Sequence, residues 1–450
     1  MSYYFISIGG TGAKILESLT HACIMGLLPG EEKLHIAALD PDVGNGNLER
    51  TSTALNNYLA FQKLDAGGLF KNKVAIERPY PYNPTGQDKN LDDLIEFYQH
   101  SKTPVGKLYE VLYTKKERVT TLNEGFRGHP SIGAAVLAKS GAAKLLEQIE
   151  RALGAGEQLK IILAGSVFGG TGAAGLPTLA RLLRNNLADY ADRIELGGLL
   201  MLPYFSFTPD EKLNELFARS ENFLANTKAA LRYYSEQENL FDAAYLIGDS
   251  SLTPVEEFAV GSANQRNAAH LVEFYGALAA ADFYSGAKGF KYICRHERNK
   301  YTWEDFSQAA RFVQFTRFIL AYIHLIKPAL MELISGRAAA YKYPYYVDYL
   351  EGVDLAASEV VNFNYYAEAY VAWLKQLETF TGREVALIKN ELFAANPARL
   401  VDKKLFARLD GNKSDLTLHE IFYRLSEPAD TKGRGFGKFL RRLYDCCFSP

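Results

Sequence analysis

The chain has 450 residues, 48% of them hydrophobic, and its charged residues leave a formal net charge of −2 at pH 7. A chain of this length is expected to form one large or two medium domains with substantial cores. The near balance of charge argues against the general affinity for nucleic acids that a strong basic excess gives. The four cysteines have neither the spacing of a disulfide framework nor that of a metal knuckle, so we expect a reducing, cytoplasmic location and no dedicated metal-binding motif.

Neither the N-terminus nor the most hydrophobic segment of the sequence indicates a membrane protein. The N-terminus lacks a signal-peptide pattern and begins with an apolar, strand-like run. The most hydrophobic segment, FILAYIHLIKPALMELI from Phe318, is interrupted by His324, Lys327 and Glu332, which the centre of a bilayer penalises. We therefore expect a buried helix there rather than a membrane span.

In the first half of the chain, short apolar runs alternate with helical patterns. Several of the runs are apolar without alternation, as is typical of strands buried on both faces. The expected strands are YFISI (4–8), LHIAALD (34–40), RVTTL (118–122), KIILAG (160–165), IELGGLLML (194–202) and AAYLIG (243–248). Strands separated by helices predict an α/β fold with a mostly parallel sheet.

Two nearly identical glycine turns follow apolar runs. They read SIGGTGAK at residues 7–14 and GSVFGGTGAAG at residues 165–175. A strand, a glycine turn and a helix place several backbone N–H groups and the positive end of a helix at one point, which suits an anion. The candidate anion-binding residues of these turns are Gly9, Gly10, Thr11, Gly12, Gly169, Gly170, Thr171 and Gly172.

A third glycine loop, LNEGFRGHPSIG, lies between the other two. It contains Gly125, Arg127, Gly128 and His129, and the two basic side chains suit a terminal phosphate. Loops at the same ends of parallel strands converge on one crevice. Three such loops predict a single phosphate site.

The first loop alone leaves other interpretations open. Its spacing fits neither GxxxxGK[ST] nor GxGxxG. Asp40 ends the second expected strand, where a dinucleotide-binding fold has its ribose-binding carboxylate. An NAD- or FAD-dependent oxidoreductase is therefore an alternative, and a tight turn that binds nothing is another.

The order of the loops resembles the tubulin and FtsZ superfamily of GTPases, and among its members the divergent prokaryotic tubulin-like proteins. GGTG at residues 169–172 matches the fourth loop of the family, although Phe168 and Ala174 depart from its pattern. The resemblance covers roughly residues 3–285. It implies a tubulin-like nucleotide-binding domain over residues 1–240, with a central helix at about residues 212–238, and a second, largely helical or α+β domain over residues 241–450.

The resemblance also implies roles for single residues in binding GTP or GDP with Mg²⁺. The first and fourth loops would hold the phosphates, the third would approach the γ-phosphate, and Asp40 and Asp42 would lie near the metal. Asn226 would read the guanine edge and Phe223 would stack on the base. A turn or helix cap remains an alternative for the two aspartates, and a core position remains one for Phe223.

Hydrolysis in that family uses acidic residues, in a pattern near Asn-x-Asp-x-x-Asp, that act on the nucleotide of the neighbouring subunit. The corresponding segment here, SANQRNAAHLVEF, has no acid at those places. Glu273, with Asn267 and His270 on neighbouring turns, is the candidate replacement. A polar helix face is the alternative, and it would leave GTP hydrolysis slow because a group that orients the water is missing.

The expected protein is a cytoplasmic, tubulin-like GTP-binding protein that assembles head to tail into filaments or scaffolds, with slow or altered GTP hydrolysis across a subunit interface. A non-hydrolysing adaptor with the same fold is an alternative. The C-terminal segment GRGFGKFLRRLYDCCFSP forms a basic amphipathic pattern. Such a helix contacts an anionic membrane or a partner, but more often packs on its own domain.

Overall fold

A computed structural model gives the fold. It describes residues 1–77, 80–86, 89–123, 125–126, 128–140, 142–207, 220–237, 239–250, 252–255, 266–294, 300–301, 308–337, 343–379, 384–385, 417–427 and 433–447. Arg127 and residues 212–219 of the expected central helix lie outside these ranges.

Strands and helices alternate through the first two thirds of the chain, and helices follow. The strands are β1 (Ser2–Ile8), β2 (Leu34–Leu39), β3 (Val74–Ile76), β4 (Leu159–Ser166), β5 (Ile194–Met201), β6 (Phe205–Phe207), β7 (Ala243–Gly248), β8 (Thr253–Val255), β9 (Gly289–Cys294), β10 (Lys300–Tyr301) and β11 (Glu384–Val385). The helices of the first part are α1 (Gly9–Met25), α2 (Gly46–Phe61), α3 (Leu91–Leu94), α4 (Phe97–His100), α5 (Pro104–Leu112), α6 (Lys115–Val119), α7 (Pro130–Ser140), α8 (Ala143–Gly154), α9 (Thr171–Asn186), α10 (Ser220–Glu236) and α11 (Leu271–Tyr284). Those that follow are α12 (Ala309–Ala321), α13 (Lys327–Ile334), α14 (Ser358–Thr379), α15 (Leu418–Ser426) and α16 (Phe436–Cys446).

Seven strands form one parallel sheet in the order β3-β2-β1-β4-β5-β7-β9. At its centre, Phe5 of β1 pairs with Ile36 on one side and Ile162 on the other. Phe5 and Ile162 face a core built with α1, α11 and the later helices, while Ile6 and Ile161 face a core built with α8, α9 and α10. The predicted α/β fold with a mostly parallel sheet is confirmed.

The RVTTL segment is not a strand, contrary to the sequence-based expectation. Residues Lys115–Val119 form α6, which begins with a capping box between Thr114 and Glu117. The two side chains satisfy backbone N–H groups at the helix start, and this local hydrogen bonding prevails over the β-propensity of the valine and threonines.

The sheet extends beyond residue 240, where the first domain was expected to end. Strands β7 and β9 continue it to Cys294. The helix buried against α1 is α11, which follows β7, whereas α10 crosses between β5 and β7. A division at residue 240 would therefore separate strands that are hydrogen-bonded in one sheet.

The later helices share a core with the sheet domain. The ring of Phe363 in α14 lies 5.3 Å from that of Phe61 in α2, measured between centroids. His21 of α1 lies 4.4 Å from Trp373 of α14, and burial lowers the pKa of His21 to about 3. An aromatic contact of this kind joins the two parts of the chain through apolar burial.

The C-terminal helix α16 turns its apolar side inward. Phe436, Phe439, Leu440 and Leu443 are buried in the same core. Arg441 lies at the surface, where it pairs with Asp445. Across the described residues, no helix is both long and apolar enough to cross a membrane.

Candidate functional site

Four helices begin close to the carboxyl ends of the central strands. Helix α1 follows β1 directly, α9 follows the glycine turn after β4, α2 follows the loop after β2, and α7 follows the third glycine loop. In α1, α7 and α9 the first turn carries no acidic residue. Free N–H groups and the dipole at the start of such a helix favour a bound anion.

The first and fourth glycine loops touch each other. A Cβ atom placed on Gly9 would lie 3.1 Å from the Cβ atom of Thr171. The φ angle of Gly9 is +70°, a left-handed conformation that favours glycine. Gly12 is confined on the other side, since its Cβ would lie 2.6 Å from the carbonyl oxygen of Ala164. Only glycine fits these two positions without a shift of the backbone.

The third loop meets the fourth in the same way. A Cβ atom on Gly170 would lie 2.9 Å from the backbone nitrogen of Gly128. Gly125 and Gly128 have φ angles of +81° and +79°. We refer to Gly9, Gly10, Gly128, Gly170 and Thr171, where the loops meet, as the loop junction. The convergence predicted from the sequence is therefore present in the fold.

The loop after β2 closes the junction from another side. A Cβ atom on Gly10 would lie 3.5 Å from Nδ2 of Asn45 and 3.6 Å from Nδ2 of Asn47. Asn45 caps α2 by accepting a hydrogen bond from the N–H of Asn47. Asp40 accepts a hydrogen bond from the N–H of Asp42 at 3.1 Å, so the two acids form a turn at the end of β2.

Asp40 and Asp42 are both buried, although carboxylates are rarely found away from water. Burial raises the pKa of the Asp40 carboxyl from 3.8 to about 8, against the lowering effect of the hydrogen bond from Asp42. A desolvated carboxylate gains most from a nearby cation. Mg²⁺ is commonly held by one or two carboxylates together with phosphate oxygens. The two acids fit such a site, although the described residues contain no group of three or more His, Cys, Asp or Glu placed to hold a metal ion.

His129 of the third loop is bound within the chain. Its Nδ1 atom lies 3.2 Å from Oε1 of Glu117, the capping residue of α6. Burial lowers the pKa of His129, while Glu117 acts in the opposite direction. The third loop is thus fixed to the small helical layer of α3 to α6.

The residues expected at the base lie beside the fourth loop. Nδ2 of Asn226 donates to the carbonyl oxygen of Phe168 at 3.2 Å. The ring of Phe223 is 4.6 Å from that of Phe168 and 5.9 Å from that of Phe205, measured between centroids. Phe223 is buried in this small cluster. A core position was the alternative to base stacking for this residue. Asn226 is half-buried and borders the junction.

Glu273 lies inside the protein. It is fully buried and forms an ion pair with Lys14 of α1. Its Oε1 accepts from the hydroxyl of Tyr204 at 2.6 Å, and its Oε2 accepts from the backbone N–H of His270 at 2.9 Å, which completes the cap of α11. Through Lys14 this network reaches the helix that begins at the first loop.

Asn267 and His270 are likewise bound within the chain. The backbone N–H of Asn267 donates to Oδ1 of Asn47 at 2.8 Å, and Nδ2 of Asn47 donates back to Oδ1 of Asn267 at 3.3 Å. Nε2 of His270 lies 3.0 Å from the hydroxyl of Thr253. The three residues predicted to be catalytic are therefore brought together near the first loop.

Lys14, Tyr204 and Asn47 had no role predicted from the sequence. Lys14 stands directly after GGTGA, and Tyr204 follows the carboxyl end of β5, so both are in positions that commonly face a ligand crevice. Their position in the chain was a usable signal. Their pairing with Glu273 was not visible, because the partners come from distant segments.

Comparisons with known proteins give distant structural matches. No family model and no curated protein matches it. CetZ from Methanosaeta thermophila strain DSM 6194 is 14% identical, with 63% of this chain and 52% of that chain covered and a TM-score of 0.29. CetZ2 from Haloferax volcanii, in a GTPγS-bound protofilament, is 14% identical, with 64% of this chain and 60% of that chain covered and a TM-score of 0.30. The chain thus covers less than two thirds of either CetZ protein.

Proposed function

We propose that the chain is a tubulin-like GTP-binding protein whose phosphate site is the loop junction. The observation that carries the proposal is the contact between three glycine loops, with Gly9 against Thr171 and Gly170 against Gly128. A dinucleotide needs one such loop for its pyrophosphate. A triphosphate offers three charged groups, and a site lined by three helix N-termini matches that charge.

The proposal assigns each loop a part of the nucleotide. The first loop, Gly9–Gly12, contacts the α- and β-phosphates, the third loop contacts the γ-phosphate, and Gly169–Gly172 covers the phosphates from the opposite side. Asp40 and Asp42 hold Mg²⁺, which when bound neutralises phosphate charge. Asn226 reads the guanine edge with its amide, which offers both a donor and an acceptor.

Hydrolysis in this proposal is slow. The carboxylate of Glu273 is bonded to Lys14 and Tyr204 and caps α11. In this proposal its role is to hold the first loop in place. A group that orients water needs access to it. The catalytic role of Glu273, Asn267 and His270 stays a prediction, as does head-to-tail assembly in the cytoplasm.

A dinucleotide-dependent oxidoreductase is the second candidate. The sheet order β3-β2-β1-β4-β5 is also that of the dinucleotide-binding fold, and Asp40 stands at the end of β2. The buried turn that Asp40 forms with Asp42 does not favour a hydrogen bond to ribose. A dinucleotide-binding site would also leave the third and fourth loops without a role.

Calorimetric titration of the purified protein distinguishes a GTP-binding protein from a dinucleotide-dependent oxidoreductase. GTP and GDP, each with Mg²⁺, are compared with ATP, NAD and FAD. The proposal predicts saturable binding of the guanine nucleotides and weaker binding of ATP. Binding of NAD or FAD in their place would support the oxidoreductase, and no binding of any of them would support an adaptor that has lost the site.

A further inference from the structure

Helix α5 carries the most exposed group of large apolar side chains in the described part of the chain. Val105, Leu108, Val111 and Leu112 have 71%, 57%, 83% and 64% of their surface exposed. Isolated exposed apolar residues are normal on a protein, but several on one short helix are not.

The four residues lie on one side of the helix. At 100° per residue they fall within an arc of roughly 120°, because their spacing is three, three and one. An adjoining side faces the protein, where Gly106 and Tyr109 are buried. A Cβ atom on Gly106 would lie 2.1 Å from the carbonyl oxygen of His100, so the helix is held against the end of α4. We refer to Val105, Leu108, Val111 and Leu112 as the α5 face.

Exposed lysines are close to the α5 face in the chain. Lys107 lies on the helix beside the face, Lys102 precedes the helix, and Lys115 and Lys116 follow it. The acid on the helix, Glu110, is paired with Arg118 at 3.2 Å. The segment that carries the aliphatic face therefore has an excess of exposed positive charge.

We infer that the α5 face docks on the surface of an anionic lipid bilayer. Aliphatic residues enter the boundary of the acyl chains while lysines remain at the level of the headgroups. Each lysine near such a surface adds attraction to anionic lipids.

Two features favour a bilayer over a protein partner. Protein interfaces are depleted in lysine, and their binding energy comes largely from Trp, Tyr and Arg in fitted pockets. The α5 face has aliphatic side chains, lysines and a convex helix surface in place of a groove. A bilayer accepts a ridge without a complementary groove.

The α5 face differs from the basic C-terminal helix. In α16 the apolar side chains pack in the protein core and are not available to lipid. The inference does not depend on nucleotide binding, since no residue of the loop junction belongs to the α5 face.

Co-sedimentation of the full chain with lipid vesicles tests the inference. Vesicles of phosphatidylcholine alone are compared with vesicles that also contain phosphatidylserine. The wild type is expected to sediment with the anionic vesicles and to be released at about 1 M salt, where screening is strong. Replacing Lys107 and Lys115 by glutamine is expected to weaken binding by roughly fivefold per lysine.

The apolar contribution is tested by Leu108→Glu combined with Val111→Glu. This variant is expected to lose vesicle binding, and both positions are exposed, so its circular dichroism and unfolding midpoint should match the wild type. Ile334→Glu is the matched control, because Ile334 is 60% exposed on α13 and should leave binding unchanged. Failure of the wild type to bind anionic vesicles would overturn the inference.

Equal binding by the α5 variant would overturn it as well. A protein interface would give a different result: sedimentation velocity without lipid would show an oligomer that the same variant dissociates. That outcome would assign the α5 face to a second copy of the chain and contradict the lipid assignment.

Discussion

Lys14 and Glu273 form a buried ion pair that joins the helix of the first glycine loop to α11. The hydroxyl of Tyr204 adds a hydrogen bond to the same carboxylate at 2.6 Å. Because both charged groups are away from water, each depends on the other for compensation. The pair thereby fixes the first loop relative to the segment that precedes α11.

Removing one partner of this pair should destabilise the fold strongly. Lys14→Met leaves an uncompensated buried carboxylate and is expected to lower the free energy of unfolding by about 3–5 kcal/mol. Adding Glu273→Leu removes the uncompensated charge but also the acceptor of the Tyr204 hydroxyl and the His270 N–H, so it should recover only part of that loss. Urea-induced unfolding followed by circular dichroism measures both. Arg434→Met breaks an exposed ion pair with Glu351 and, as the control, should cost less than about 1 kcal/mol.

Glu273→Gln separates a positioning role from a catalytic one. The substitution preserves the size of the side chain and removes its charge, so a positioning role predicts lower stability and weaker GTP binding. The turnover of saturated protein should then fall by less than about tenfold. General acid–base catalysis typically contributes about 100-fold or more. A drop of that size with unchanged affinity would show that Glu273 acts in the reaction.

Asp40 should make stability depend on pH in the protein free of nucleotide and metal. Its pKa is about 8 in the folded chain against a usual 3.8, so the folded state binds more protons between these values. The contribution of Asp40 to the free energy of unfolding should therefore be largest near pH 4 and should be lost as pH rises towards 8, while His21, whose pKa is lowered to about 3, contributes in the opposite direction. Asp40→Asn should remove the Asp40 contribution, so the difference in stability between wild type and variant should change with pH. Denaturation midpoints across that range in a chelating buffer provide the check, and parallel curves for the two proteins would refute it.

Assembly should depend on the nucleotide. A head-to-tail contact that does not close gives a filament. Sedimentation of the wild type with GTP and Mg²⁺ is expected to show large species that are absent with GDP, without nucleotide, or after chelation of the metal. The same small species under all four conditions would exclude nucleotide-dependent polymerisation.

The sequence was sufficient to predict five of the seven strands of the sheet and the glycine loops, since each of these rests on a local pattern, but it did not indicate β3 or β9. The apolar runs at β1, β4 and β5 are long enough to indicate buried strands, and glycine directly after a strand indicates a turn into a helix. The turns that contain Gly9 and Gly170 were therefore predicted from the sequence, while their role in phosphate binding stays a prediction.

Contacts between residues that are far apart in the chain could not be predicted from the sequence. Glu273 looked like part of a polar helix face, because nothing near it reveals that Lys14 lies opposite. The burial of Asp40 depends in the same way on how the loop after β2 folds back. At α6, the capping box between Thr114 and Glu117 favours a helix where β-branched residues had indicated a strand.

The most direct test of the central claim compares GTP binding by the wild type, Gly170→Ala and Gly154→Ala in one calorimetric series. A methyl group on Gly170 would lie 2.9 Å from the backbone nitrogen of Gly128 and would force the third and fourth loops apart. Gly154, at the end of α8, has open space around it and serves as the control. The account predicts that only Gly170→Ala loses affinity, by about tenfold or more, which corresponds to about 1.4 kcal/mol. Equal affinity in all three proteins would contradict a phosphate site at the loop junction.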